Sequence, residues 1–156
     1  MSFLGVRAAV RYIVLKRLSN NELALAALKK LAEGESPSRV AAELGLHKDS
    51  VRSFMSRVGE KLCGGIKAQT LLRVVLPALD AIQPIVDSDR GVLVCRICGE
   101  RIYPHNGNGH NVRIAQHAAM EFHILRHHPG VVEHAVAKVA SEAKRILRER
   151  KRGSFA

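Results

Sequence analysis

The chain has no tryptophan, and aromatic residues of any kind make up only 4% of it. Its cores must therefore be aliphatic and alanine-rich, and aromatic platforms for stacking single-stranded bases are scarce. Cysteine is sparse too: three in 156 residues, two of them close together, which excludes a disulfide framework. No apolar run reaches the roughly 18 residues of a membrane span. The start of the chain lacks a signal-peptide pattern. The expectation is a soluble, intracellular protein, cytoplasmic or nucleoid-associated, with no membrane partner. There is no glycine-rich phosphate loop, no nucleophile elbow, no paired-carboxylate stretch and no internal repeat, so no enzymatic activity is expected. Acidic residues are the last shortage, 14 against 25 basic, giving a net charge of +11 and a pI near 10.2. The excess is spread over both halves of the chain. Such a balance favours a polyanionic partner, because spread Lys and Arg are rewarded by phosphate neutralisation.

What is present begins with residues 34–62, GESPSRVAAELGLHKDSVRSFMSRVGEKL. Val40, Ala41, Leu44, Leu46, Val51, Met55 and Val58 recur at three- and four-residue intervals, which gives two short helices one buried face each. Gly45 falls where a sharp turn between helices needs positive φ. Ser36 can cap the first helix, and Pro37 suits its first turn. The second helix then presents Lys48, Asp49, Arg52, Ser53, Ser56 and Arg57 outward, a face suited to a DNA major groove.

This stretch resembles the helix-turn-helix of LuxR-type regulators and the promoter-reading region of sigma factors. The resemblance covers residues 18–62. It makes LSNNELALAALKKLAEG the family's first helix, with Ser19 as cap and Glu22 completing a capping box. It also makes the helix from about Lys48 the recognition helix. Lys48, Arg52, Ser53 and Ser56 would then face base edges, with Arg57 and Lys61 on phosphate. His47 stands where the family carries a capping Ser or Thr.

Residues 3–17 read as an amphipathic helix packed on this unit, its Arg11 and Arg17 on a solvated basic face. Cys63 reads as a small boundary residue without chemistry. Residues 66–82 are the most apolar segment, interrupted at Pro77. Their density gives a homodimer contact or burial on the helix at 3–17 equal standing. QPIVDSDR, residues 83–90, reads as a linker.

A second module begins at Gly91. Cys95-x-x-Cys98-Gly99 lies among short β-prone runs, the form of a metal knuckle in a hairpin. A redox Cys-x-x-Cys would sit in a βαβ pattern, which this chain lacks. Deaminase chemistry would need His-x-Glu and Pro-Cys-x-x-Cys, and neither is here. A helix over 112–128 carries His117, His123, His127 and His128. Two Cys followed by paired His about 25 residues on read as a structural two-Cys, two-His zinc site, one zinc per chain. His123-Ile-Leu-Arg-His-His128-Pro129 resembles the close of BED-type fingers, which implies Cys95, Cys98, His123 and His128 as ligands. His127 is the rival fourth ligand, one helical turn from His123, and His117 a third arrangement. Metal removal is expected to unfold residues 91–130 and spare the N-terminal helices.

The expected fold is mostly α. A helical domain, 1–82, contains the helix-turn-helix. The linker at 83–90 leads to a small ββα-like zinc-finger module, 91–130. A basic C-terminal helix and tail, 131–156, close the chain. The expected function is sequence-selective binding of double-stranded DNA, in transcriptional regulation. RNA or ribosome association and a protein-interaction adaptor are the competing readings.

Overall fold

The structure, a computed structural model, describes residues 3–58, 68–104 and 110–153. Lys61 and Cys63 lie outside the described residues. The architecture is mostly helical with one small antiparallel sheet. The helices are α1 (Phe3–Leu18), α2 (Glu22–Ala32), α3 (Pro37–Leu44), α4 (Lys48–Val58), α5 (Ala68–Ala78), α6 (His110–His127) and α7 (Pro129–Gly153). The strands β1 (Val86–Asp89), β2 (Val92–Cys95) and β3 (Arg101–Ile102) pair in the order β1-β2-β3.

α1 is the axis of the fold. Its C-terminal half is buried on most sides: Ile13 and Val14 have no exposed surface, and even Lys16 is buried. α4 and α2 cover one part of it and α7 another. Its expected basic face is engaged. Arg7 and Arg11 pair with Glu133 of α7, at 2.6 and 3.6 Å, and Arg17 Nε donates to the Ile82 carbonyl at 3.0 Å.

α2, α3 and α4 form the expected three-helix unit. Val40, Ala41, Val51 and Val58 are buried between its helices and α1. Ser36 accepts from the Arg39 amide with Pro37 at the first helical position, and Gly45 ends α3 at φ 66°. The start of α2 differs from the expectation. Asn21 is the cap, accepting from the Ala24 amide, and the helix begins at Glu22. Ser19 is drawn instead into the core at the end of α1, where its Oγ lies 3.2 Å from the Lys16 carbonyl. A buried hydroxyl needs partners inside the protein, and that need outranked helix capping here.

α5 runs through Pro77 and ends one residue later in a 3-10 turn, Leu79–Ala81. Its apolar residues Leu71, Leu72, Val74 and Val75, with Leu79 of the turn, are buried against α2 and α7. These residues are therefore covered within the chain. Residues 83–90, expected as a linker, carry β1. Val86 pairs with Cys95 and Asp89 with Val92 across a two-residue turn at Arg90 and Gly91, both of positive φ. Polar strand residues Asp87, Ser88 and Asp89 hid this strand, because only Val86 faces the core. The buried residues form one continuous cluster, which joins Leu28 and Val51 to Leu93, Cys95, Met120 and Ile124. α7, expected as a basic C-terminal helix, supplies Val132, Val136 and Val139 to that same cluster. No described helix is long and apolar enough to cross a membrane.

Candidate metal centre

Cys95 closes β2, and its amide ties the chain returning from the knuckle by donating to the Glu100 carbonyl at 2.9 Å. The Gly99 amide donates to the Cys95 carbonyl at 2.8 Å, with Gly99 at φ 77°. An added Cβ there would meet nothing within 4 Å. Backbone conformation, and not space, therefore asks for glycine. The Arg96 amide donates to the Ile85 carbonyl at 2.8 Å, and its guanidinium pairs with Asp87. The knuckle is thus fastened to β1 from outside.

The facing wall is the end of α6. Gln116, buried on its inner side, donates to the carbonyls of Gly91 and Ile102 at 2.7 and 2.8 Å, which fixes the helix against the sheet. No pattern in the sequence distinguishes this Gln from a solvated one. α6 stops at His127 and α7 starts at Pro129, leaving His128 at the junction with its amide still bonded to Ile124. That break turns the His128 ring onto the same point as His123, which a continuous helix five residues apart would not do.

Cys95, Cys98, His123 and His128 converge, their donor atoms all within 4.8 Å of one another. Cys98 Sγ lies 3.2 Å from His123 Nε2, and Cys95 Sγ lies 3.6 Å from His128 Nε2. A tetrahedral ion with sulfur at about 2.3 Å and nitrogen at about 2.0–2.1 Å needs a sulfur–nitrogen edge of about 3.5 Å. The residues present fit such an ion. Cys95 is fully buried and Cys98 exposed, so the centre sits at the surface with one side closed by the core. Burial, followed by the nearby His127 and His128, holds His123 below the ordinary imidazole range. That favours the neutral, ligating form. His127 is exposed, its ring 4.9 Å from that of His123 but outside the converging set. His117 is half-buried elsewhere on α6, also outside it.

On α4 the six described candidates, Lys48, Asp49, Arg52, Ser53, Ser56 and Arg57, are all exposed. His47 itself caps the helix, its Nδ1 accepting from the Asp49 amide at 3.2 Å. An imidazole here takes the capping role that a Ser or Thr hydroxyl more often fills. Arg57 also stacks over the Tyr12 ring at 5.6 Å.

Fold and site together define a mostly α-helical protein with a two-Cys, two-His cluster positioned to hold a metal ion. Comparison with family models, with curated proteins and with solved structures finds no match to the chain.

Proposed function

We propose that the protein is a sequence-selective DNA-binding protein acting in transcriptional regulation, with one structural zinc ion. The observation that carries the DNA reading is the outer face of α4. Lys48, Arg52 and Arg57 are exposed there, and among the described residues none of the three is in an ion pair. Basic side chains elsewhere are paired with acids in part, Arg7, Lys30 and Arg145 among them, whereas α4 gathers three unpaired ones on one short exposed face. A helix whose guanidinium and ammonium groups are left uncompensated, on a three-helix unit with a tight αL turn, suits a major groove. Zinc is the ion that best matches two thiolates and two imidazoles at tetrahedral spacing. With four protein ligands it has no open position for water, so its role is to hold α6 to the knuckle, and the protein performs no catalysis at this centre.

A second reading has one observation in its favour. Tyr103, just after β3, and Phe122, beside His123, are 61% and 63% exposed. Two open aromatic rings near the knuckle suit stacking on RNA bases. Selection from random duplex DNA in competition with total RNA separates the two. Enrichment of a duplex motif supports the DNA reading, and retention of RNA with no duplex motif overturns it.

A further inference from the structure

A cleft of about 760 Å³ separates α4 from α6 and the β1–β2 hairpin. Its size lies within the range of small-ligand sites, about 300–1,000 Å³. Residues of α1, α2, α4, β1, β2 and α6 line it, so it exists only because the helical unit and the metal module share one core.

Its charges are unevenly satisfied. The Glu121 carboxylate in it is taken by Lys16, and Asp87 by Arg96. Arg57 on the α4 side and Arg113 on the α6 side pair with no acid among the described residues, leaving Glu22 as the one uncompensated carboxylate against two guanidinium groups. His117 also lines the cleft, and its Nδ1 is buried with no hydrogen-bond partner among the described residues. The Tyr12 phenol is pushed up, first by burial and then by Glu121, so its hydroxyl stays a donor. Phe54 lies 6.2 Å from the Tyr12 ring, giving the same cleft an aromatic surface. Guanidinium forks, a hydroxyl donor and ring faces together match a phosphate carried on a planar body.

We propose that this cleft is a phosphate-ester site, with Arg57 and Arg113 holding the phosphate oxygens, the Tyr12 hydroxyl donating to the ligand and Phe54 receiving the attached ring. The phosphate comes from one of two sources: a free nucleotide, or the backbone of nucleic acid lying along α4. The second source rests on the DNA-binding reading above, and the first does not. Either occupant bears on α4 directly, because Ser53 and Arg57 are wall residues of the cleft.

The test titrates the full chain with AMP by calorimetry, and separately with random-sequence duplex at several salt concentrations. Wild type is compared with Arg113→Ala, Arg113→Lys and, as a control, Arg126→Ala, which is exposed on the same helix and outside the cleft. Thermal melts confirm that each variant is folded. Arg113→Ala should weaken AMP binding about tenfold or more, as loss of a charge-assisted hydrogen bond does. Arg113→Lys should recover part of that loss, and Arg126→Ala should bind as wild type. If AMP does not bind but Arg113→Ala lowers the salt slope of duplex binding by about one, the occupant is the nucleic-acid backbone. If Arg113→Ala binds both probes as wild type does, or wild type binds neither, the proposal is overturned. Duplex binding untouched by Arg113→Ala, with no AMP binding by the wild type, sinks the cleft alone. AMP binding without duplex binding sinks the DNA reading alone.

Discussion

Lys16 Nζ in α1 donates to both carboxylate oxygens of Glu121 in α6, at 2.9 and 2.8 Å, with both side chains about nine-tenths buried. Ser19 Oγ lies 3.3 Å from the same carboxylate, and the Lys16 ammonium sits 4.7 Å from the centre of the Tyr12 ring. Glu121 is two residues before the ligand His123. The pair therefore pins the helix that carries His123 to the helix on which the α2–α4 unit packs. Through it the orientation of one half is set by the other.

Removing one member of this pair strands the other in the core. Glu121→Ala should cost about 3–5 kcal/mol in urea unfolding, the usual penalty for an uncompensated buried charge. The double variant Lys16→Met, Glu121→Leu should regain most of that, because no charge is then left unpaired. A loss below about 1 kcal/mol in Glu121→Ala would mean that water reaches the pair and that it does not join the halves.

Metal removal tests the shared core. Cys95, Leu93, Met120 and Ile124 belong to the same buried cluster as residues of α1 and α2. Chelation should lower the melting temperature of one cooperative transition, and should not melt residues 91–130 alone. Two resolved transitions after chelation would show that the halves hold separate cores after all.

The choice of fourth ligand is equally direct. His128→Ala should release the metal, and His127→Ala should retain it at one ion per chain, read by elemental analysis. The geometry behind this is the helix break at His128, which places its Nε2 3.6 Å from Cys95 Sγ. Release from His127→Ala with retention in His128→Ala would require α6 to run on unbroken past His127.

Residues with strong local rules were legible. Cys95-x-x-Cys98-Gly99 carries its own turn geometry, and Pro129 announces the break that brings His128 to His123. Ser36, Pro37 and Gly45 likewise act within their own few residues. What stayed hidden depends on distant partners. Ser19 leaves its capping role because Glu121, about a hundred residues on, meets it in the core. β1 is unreadable because three of its four residues are polar and its strand identity comes from pairing with β2. The unity of the core was hidden for the same reason: polar stretches look like linkers until their neighbours are known.

The metal-free protein should lose stability as the solution is acidified. Burial holds His117 below its ordinary value of 6.5, and His123 is lowered in the same direction. Both are then neutral in the fold at pH values where the unfolded chain begins to bind protons. Unfolding therefore takes up protons, and stability present above about pH 6.5 declines as pH falls through that value toward the folded pKa. Urea midpoints between about pH 7.5 and about pH 5.5 check the sign. His117→Gln should flatten the decline, and a midpoint that rises on acidification would contradict the burial of His117.

The outer face of α4 carries the prediction with the widest consequence. Arg52 is exposed one turn beyond Lys48, whereas Val51 beside it is fully buried, so the two adjacent residues separate binding from folding. Arg52→Ala should leave the melting temperature unchanged and cost about 1–3 kcal/mol on a selected duplex, with preference relaxed at one base position. Arg57→Ala should instead weaken all duplexes alike and lower the salt slope by about one, as a phosphate contact does. Val51→Ala should do the reverse of Arg52→Ala, lowering stability by about 0.5–3 kcal/mol through the cavity it opens. An equal loss on every sequence for Arg52→Ala would make it a phosphate contact. No loss on any duplex would remove α4 from the interface and, with it, the argument for DNA.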